Sequence, residues 1–145
     1  MILPAFLLAF ILEKGPDHAD NQYGVIMPIA KHPPKKSVSA HPAAILRKKY
    51  AIPQSLFARL LDVSVRTASA LEAGTTPTTR ATRRLTELQR LCQALEEVGK
   101  PTYIGTWLQL PNEMLAGLKP VEAIERGHID LVWQVVEGLR SGSQS

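Results

Sequence analysis

Apolar residues recur at three- and four-residue intervals through the middle of the chain, which is the pattern of helices with one buried face. Leu46 and Tyr50 predict the inward side of a first helix, with the cations between and beside them towards solvent. Pro53 fits the first turn of a second helix, where its missing N–H is not needed. The predicted buried face of that helix consists of Leu56, Phe57, Leu60 and Leu61, with the small Ala58 where a neighbouring helix could approach.

A third helix is predicted from Val65 to Glu72. Ser64 is a favourable N-cap for it, and Gly74 is a natural residue to stop it. Ala68 and Leu71 are predicted to point inward. The outer face near the N-terminal end is then left to Val65, Arg66, Ser69 and Ala70.

One long helix is predicted from Thr78 to Val98. Its apolar stripe can serve as intramolecular core or as a dimer seam, because the spacing resembles a short coiled coil. Cys92 belongs to this stripe and is interpreted as a small buried hydrophobe. The stripe consists of Leu85, Leu88, Leu91, Cys92, Leu95 and Val98.

Short helical segments around Pro111 and Pro120 and a final helix from Ile129 to Leu139 are predicted for the rest of the chain. No alternating strand pattern occurs, so the fold class is predicted to be all-α. The core stripe of the final helix is predicted to be Ile129, Val132, Trp133 and Val136. Leu131 and Val135 then lie off that stripe and offer a second apolar face for a partner.

The first residues, Met1–Leu12, are apolar but too few to span a bilayer, which takes about 20 residues. They lack the basic start of a signal peptide. Three interpretations remain: a partner-binding or core helix, a membrane-touching segment, or residues upstream of a start at Met27. The segment Lys31–His41 is rich in Pro, Lys and Ser and is predicted to be either a basic arm along DNA or a plain linker.

The charge is unevenly distributed along the chain. From Lys31 to Arg90 there are twelve Lys and Arg against three acidic residues, a balance of +9. From Leu91 onward four basic residues meet seven acidic ones, a balance of −3. A basic middle and an acidic end imply different partners for the two parts.

Enzymatic chemistry is not predicted. The sequence holds no Gly-rich phosphate loop, no Ser/His/Asp or Cys/His set and no clustered carboxylate pair that could be argued into a cleft. The four His are scattered, and neither a metal nor another cofactor is predicted. A single Cys excludes an intramolecular disulfide and fits a reducing cytoplasm.

Two short helices around a tight turn have the geometry that enters a major groove. The residues resemble the Xre family of repressor-type helix-turn-helix proteins in Gln54, Ala58, Val63-Ser64 and Glu72-Ala73-Gly74. Leu71 departs from the family, which often has Trp there. The alternative is a helical hairpin with no role in DNA binding.

The Xre resemblance implies that Gln54 and Arg66 are the best candidates for DNA contact. Arg66 could donate two bonds to guanine, and Gln54 could hold a phosphate from a helix N-terminus. Val65, Ser69 and Ala70 share the face of Arg66. The charges expected to position the protein on the phosphate backbone are Arg47, Lys48, Lys49 and Arg59.

The end of the chain is similar to the toxin-binding domain of antitoxins of the Xre/MbcA/ParS group. The matching residues are Trp107-Leu108, Pro111-Asn112, Leu115-Ala116-Gly117, Lys119-Pro120 and Gly127, with Ala116 where the family usually has a glycine. The resemblance implies an antitoxin that neutralises a RES-domain, NAD-consuming toxin and represses its own operon. Leu131, Val135, Leu139 and Arg140 are the predicted toxin contacts.

This interpretation divides the chain into residues 1–41, an apolar segment and basic arm; 42–98, the helix-turn-helix with its connecting helix; and 99–145, the toxin-binding domain. A homodimer on double-stranded operator DNA is expected, because repressor-type modules pair on two-fold half-sites. Two rival functions remain. One is a stand-alone transcriptional regulator with a C-terminal oligomerisation or partner-binding module, and the other is a membrane-associated adaptor that uses Met1–Leu12.

Overall fold

The computed structural model describes residues 41–143, and within them the chain forms seven α-helices, two short 3-10 helices and no strand. The all-α prediction is therefore confirmed. The α-helices are α1 (Pro42–Lys49), α2 (Gln54–Leu61), α3 (Val65–Glu72), α4 (Thr79–Glu96), α5 (Ile104–Trp107), α6 (Pro120–Glu125) and α7 (Ile129–Ser143). The 3-10 helices are Pro101–Tyr103 and Glu113–Leu115. The predictions for Met1–Leu12, Met27 and most of Lys31–His41 lie outside the described residues.

The turn between α2 and α3 is shaped by local backbone chemistry. Asp62 adopts the left-handed conformation (φ 56°), which ends α2 and redirects the chain. The Ser64 hydroxyl then accepts a hydrogen bond from the Thr67 N–H at 3.0 Å and caps α3, as predicted. The predicted bounds of α3 are confirmed, and Gly74 follows it at φ 110°.

The residues predicted to point inward on α1 to α3 are buried. Leu46 and Tyr50 are buried on α1 and just after it, and Ala68 and Leu71 are buried on α3. The whole predicted apolar face of α2 is also buried, together with Ala58, which is 2% exposed. Pro53 is the residue that precedes α2 rather than a member of its first turn.

The long helix α4 begins at Thr79 and ends at Glu96, two residues short of the predicted end at Val98. Its apolar stripe is buried in the molecule's own core, except for the partly buried Leu85. Cys92 is fully buried, as predicted, and burial raises the pKa of its thiol to about 12.

The C-terminal segment is organised by the buried Asn112. Its side-chain oxygen accepts a hydrogen bond from the Met114 N–H, and its carbonyl accepts bonds from the N–H groups of Leu115 and Gly117. The 3-10 turn closes through two left-handed residues, Ala116 (φ 56°) and Gly117 (φ 83°). Ala116 therefore carries backbone strain at the position where the Xre/MbcA/ParS pattern usually has a glycine.

The two predicted modules share one hydrophobic core. Helix α6 packs against α2, and α7 packs against α4, so the halves touch directly as well as through the long helix. Gly105 on α5 approaches the end of α1 closely: its N–H donates to the Tyr50 carbonyl at 3.1 Å, and a β-carbon there would lie 2.3 Å from the Ala51 oxygen. Any larger residue at 105 would push the halves apart at this point.

Among the helices described, none has the length and apolar character needed to cross a membrane.

Candidate DNA-binding and partner-binding surfaces

Helix α3 presents a small, polar and cationic face to solvent. Val65, Arg66 and Ser69 are exposed, and Ala70 is partly exposed. Val65 is 49% exposed, which is unusual for a large aliphatic side chain. A face of this kind can enter a groove, where an Arg can donate to guanine and an apolar side chain can contact a thymine methyl group.

Behind α3, a single carboxylate holds the helix to α1 and α2. Glu72 accepts hydrogen bonds from the Arg47 guanidinium and from the Gln54 amide, the latter at 2.7 Å. Burial alone would raise the pKa of Glu72, but these two donors outweigh it and lower the pKa below its ordinary value. The carboxylate therefore stays charged and fixes the start of α2 against the end of α3.

This arrangement changes the interpretation of two predicted DNA contacts. Arg47, expected to face solvent, is turned inward, and its side chain is only 22% exposed. Gln54 is likewise partly buried, and its amide donates to Glu72 instead of lying free at the helix start. In this conformation both side chains position α3.

The other cations predicted to contact DNA fall into two groups, those that form an ion pair within the chain and those that do not. Lys49 pairs with Glu96 at 3.0 Å, and Arg59 donates two hydrogen bonds to Glu125 at 2.7 and 2.8 Å. Lys48 and Arg66 are exposed, and neither forms an ion pair with any residue between 41 and 143. Of the predicted DNA contacts, these two cations are the ones most available to a phosphate or a base.

On α7 the structure corrects the predicted faces. Val135, expected off the core stripe, is 1% exposed, and Leu139 is 4% exposed. Both side chains pack into the core and are not available to a partner in this conformation. Trp133, expected in the core, is only partly buried, whereas Leu131 is 40% exposed, as predicted.

Three elements pack against α7, namely α4, α6 and the 3-10 turn Glu113–Leu115, and together they cover more of the helix than one apolar stripe. Met114 from this turn is 56% exposed. Its side chain lies over α7, because a β-carbon at Gly138 would be 3.8 Å from the Met114 Cε. Leu131 lies two helical turns before Gly138, on the same face. Met114, Leu131 and Gly138 together form what we call the end-helix patch.

Met114 was not identified in the sequence analysis. It lies in a turn, where no helical period marks it, and only the combination of an Asn cap with a large apolar residue two positions later could have indicated its exposure.

Arg140, the polar residue predicted to contact a partner, is held by two carboxylates of its own chain. Its guanidinium donates to Glu97 at 2.8 Å and to Glu137 at 2.9 Å. The hydrogen bond to Glu137 is the main reason that the pKa of Arg140 is raised. The contact with Glu97 ties α7 to the residue that follows α4.

Within residues 41–143, no group of three or more His, Cys, Asp or Glu side chains is arranged to hold a metal ion.

Comparison with solved structures finds one informative likeness. The protein is similar to a chain of the M. tuberculosis MbcT-MbcA toxin-antitoxin complex, with 23% sequence identity and a TM-score of 0.59. The likeness covers 69% of this chain and 91% of that chain, and it shows a shared fold. No protein-family model and no curated protein sequence matches the chain.

Proposed function

We propose that this protein is the antitoxin of a type II toxin–antitoxin pair, which neutralises a toxin through its C-terminal half and represses its own operon through α3. The observation that carries the proposal is the extent of the likeness to a chain from a toxin–antitoxin complex. It covers 91% of that chain, which is too much for one of the two halves alone.

The end-helix patch is the proposed toxin contact. Met114 and Leu131 are two of the four large hydrophobic side chains that are exposed among the described residues. On α7, the Arg140 guanidinium is neutralised by Glu97 and Glu137. Exposed large apolar side chains suit the centre of a protein interface, where charged residues are depleted.

The proposed partner is a RES-domain toxin that consumes NAD, as the Xre/MbcA/ParS resemblance implies. The protein itself then acts by binding rather than by catalysis and requires no cofactor. Because NAD is a cytoplasmic substrate, the pair would act in the cytoplasm.

The exposed face of α3 is the proposed operator contact, with Arg66 and Val65 reading bases and Lys48 contacting phosphate. A homodimer would present two copies of α3 to half-sites about one helical turn of DNA apart. Repression by such a dimer would link toxin synthesis to the amount of free antitoxin.

The test is co-expression of this protein with the product of the gene next to its own, scored by growth and by co-purification. We expect the wild-type chain to restore growth and to co-purify with its partner. Leu131→Asp should abolish both effects while the protein stays folded, because it puts a charge into a desolvated interface.

Ile45→Asp is the matched control, because Ile45 is an equally large apolar residue that is 53% exposed on α1, away from the patch. We expect it to neutralise as the wild type does. If the neighbouring product is harmless and no partner co-purifies, while the chain still binds its own promoter, the protein is a stand-alone regulator and the antitoxin proposal is wrong.

A further inference from the structure

A pocket of about 180 Å³ opens where helices from both halves of the molecule meet. Aliphatic side chains of α2, α4 and α6 and the first residue of α7 line it: Leu60, Leu88, Leu91, Ile124 and Ile129. Gly127, in the turn between α6 and α7, forms part of the wall, and a β-carbon there would meet no atom within 4 Å. The pocket is therefore lined mainly by aliphatic side chains and is bordered by the α6–α7 turn.

The volume limits what can enter. A dry aliphatic cavity of about 150 Å³ accommodates a molecule the size of benzene, whereas sites for drug-sized ligands begin at about 300 Å³. The pocket therefore fits one apolar group the size of a leucine or phenylalanine side chain.

Two opposite charges line the pocket together with these aliphatic residues. Arg84 and Glu87 lie one turn apart on α4, and both are partly buried. Neither forms an ion pair or a side-chain hydrogen bond with any residue in the range 41–143. They also do not pair with each other, although their spacing of three residues would allow it.

The other cations of the same helices are either paired or exposed. Arg80 on α4 pairs with Asp62, and Arg59 on α2 pairs with Glu125. Arg83 and Arg90 on α4 form no ion pair within residues 41–143 but are exposed to solvent, whereas Arg84 and Glu87 are partly buried. A partly buried acid and base that are both left without partners at an apolar pocket are matched by a ligand that carries both charges.

We propose that this pocket binds the zwitterion of an apolar α-amino acid, with L-leucine as the representative ligand. The aliphatic side chain fills the pocket, the carboxylate accepts hydrogen bonds from the Arg84 guanidinium, and the ammonium group donates to the Glu87 carboxylate. An apolar acid would leave Glu87 without a partner, and an apolar amine would leave Arg84 without one.

The site is separate from the exposed face of α3 and from the end-helix patch, so it is independent of the proposed function. Because helices of both halves line it, a bound ligand stabilises their packing and should raise the melting temperature of the whole chain.

The test is thermal unfolding of the full chain with about 10 mM L-leucine. For a dissociation constant of about 1 mM or less, we expect Tm to rise by about 5 °C or more. Glycine has the two charges without the side chain, 4-methylpentanoate lacks the ammonium group, and 3-methylbutylamine lacks the carboxylate. Each of these should raise Tm by less than a third of the leucine effect.

Titration calorimetry with Arg84→Gln and Glu87→Gln should show leucine affinity weakened at least tenfold in each variant. Arg83→Gln is the control, because Arg83 is the exposed neighbour of Arg84 and does not line the pocket, although it shares a second groove beside Trp133 with Glu87. It should bind leucine as the wild type does. The proposal is overturned if leucine leaves the wild-type Tm unchanged, if glycine or either single-charge analogue matches leucine, or if the Arg84 and Glu87 variants retain full affinity.

Discussion

Helices α3 and α7 present opposite kinds of surface to solvent. On α3 the exposed face carries Arg66 and Ser69 beside one aliphatic side chain, Val65, and Arg66 has no ion-pair partner among the described residues. On α7 the exposed face adjoins the apolar Met114 and Leu131, and the arginine at its end is neutralised within the chain. An unpaired cation suits a polyanion, whereas an exposed apolar patch suits a protein.

The two helices are also held in different ways. Helix α3 buries only Ala68 and Leu71 and depends on the Glu72 carboxylate for its orientation. Helix α7 depends on a continuous row of buried aliphatic side chains, which includes Val132, Val135, Val136 and Leu139. Polar substitutions should therefore damage α7 far more than α3, and the expected effects below follow that order.

The largest expected effect is that of Val135→Asp. Val135 is 1% exposed, so the substitution places a charge in the core, and we expect a loss of at least about 4 kcal/mol in the free energy of unfolding. Leu131→Asp changes a residue that is 40% exposed and should cost about 1 kcal/mol or less. Urea unfolding followed by circular dichroism measures both. Equal losses for the two variants would mean that Leu131 also belongs to the core.

The comparison of α3 with α7 also shows why the sequence predicted the buried face of α3 better than that of α7. In α3 only two positions point strongly inward, so only one assignment of its buried face fits the pattern. In α7 apolar residues occupy positions 129, 131, 132, 133, 135, 136 and 139, so two overlapping stripes are possible. Which positions are buried depends on how α4, α6 and the 3-10 turn Glu113–Leu115 pack against α7, which no local period encodes.

A similar limit applies to the charges. The sequence correctly indicated basic residues around α1 to α3, but Arg47, Gln54 and Arg59 meet their carboxylates 25, 18 and 66 residues away. Long-range pairs of this kind depend on the tertiary fold and not on local spacing. Capping by Ser64, in contrast, involves a partner three residues away and was predictable.

The second expected effect concerns Glu72. Glu72→Gln removes the charge that Arg47 and Gln54 share and should cost about 1.5–3 kcal/mol of unfolding free energy at pH 7. Since the folded state lowers the pKa of Glu72, its contribution is complete above the ordinary Glu pKa of about 4.3 and is lost as the pH falls through the lower folded value. The wild type should therefore lose more stability than Glu72→Gln between pH 6 and pH 3.

Urea unfolding across that pH range checks the prediction, and Glu113→Gln serves as a control because Glu113 is an exposed carboxyl. If the wild type and Glu72→Gln show parallel pH dependence, Glu72 does not hold α3 in place.

The third expected effect is on DNA binding. Arg66→Ala should weaken binding to the specific operator by about 1–3 kcal/mol and relax the preference at one base pair, since a guanine contact would be lost. Lys48→Ala removes an exposed charge on α1 and should weaken binding to all DNA sequences alike. It should also reduce the slope of log affinity against log salt concentration by about one. Titrations at several salt concentrations on specific and random DNA separate these outcomes. If the two variants behave identically, α3 is not the recognition helix.

The smallest expected effect is that of the ion pair between Arg59 and Glu125, which links the two halves. Both side chains are more than a third exposed, so water screens the pair, and a double-mutant cycle should give a coupling of about 0.2–1 kcal/mol. The halves are then held together mainly by the shared apolar core.

The single variants of that cycle, Arg59→Ala and Glu125→Ala, also test whether Arg59 contacts the DNA phosphate backbone. Because its guanidinium is engaged by Glu125, we expect Arg59→Ala to change DNA affinity by less than about twofold and to leave the salt slope unchanged. If Arg59→Ala instead reduces the slope by about one, and Glu125→Ala strengthens binding, the pair opens when DNA binds. The C-terminal half would then be coupled to operator binding through this single contact.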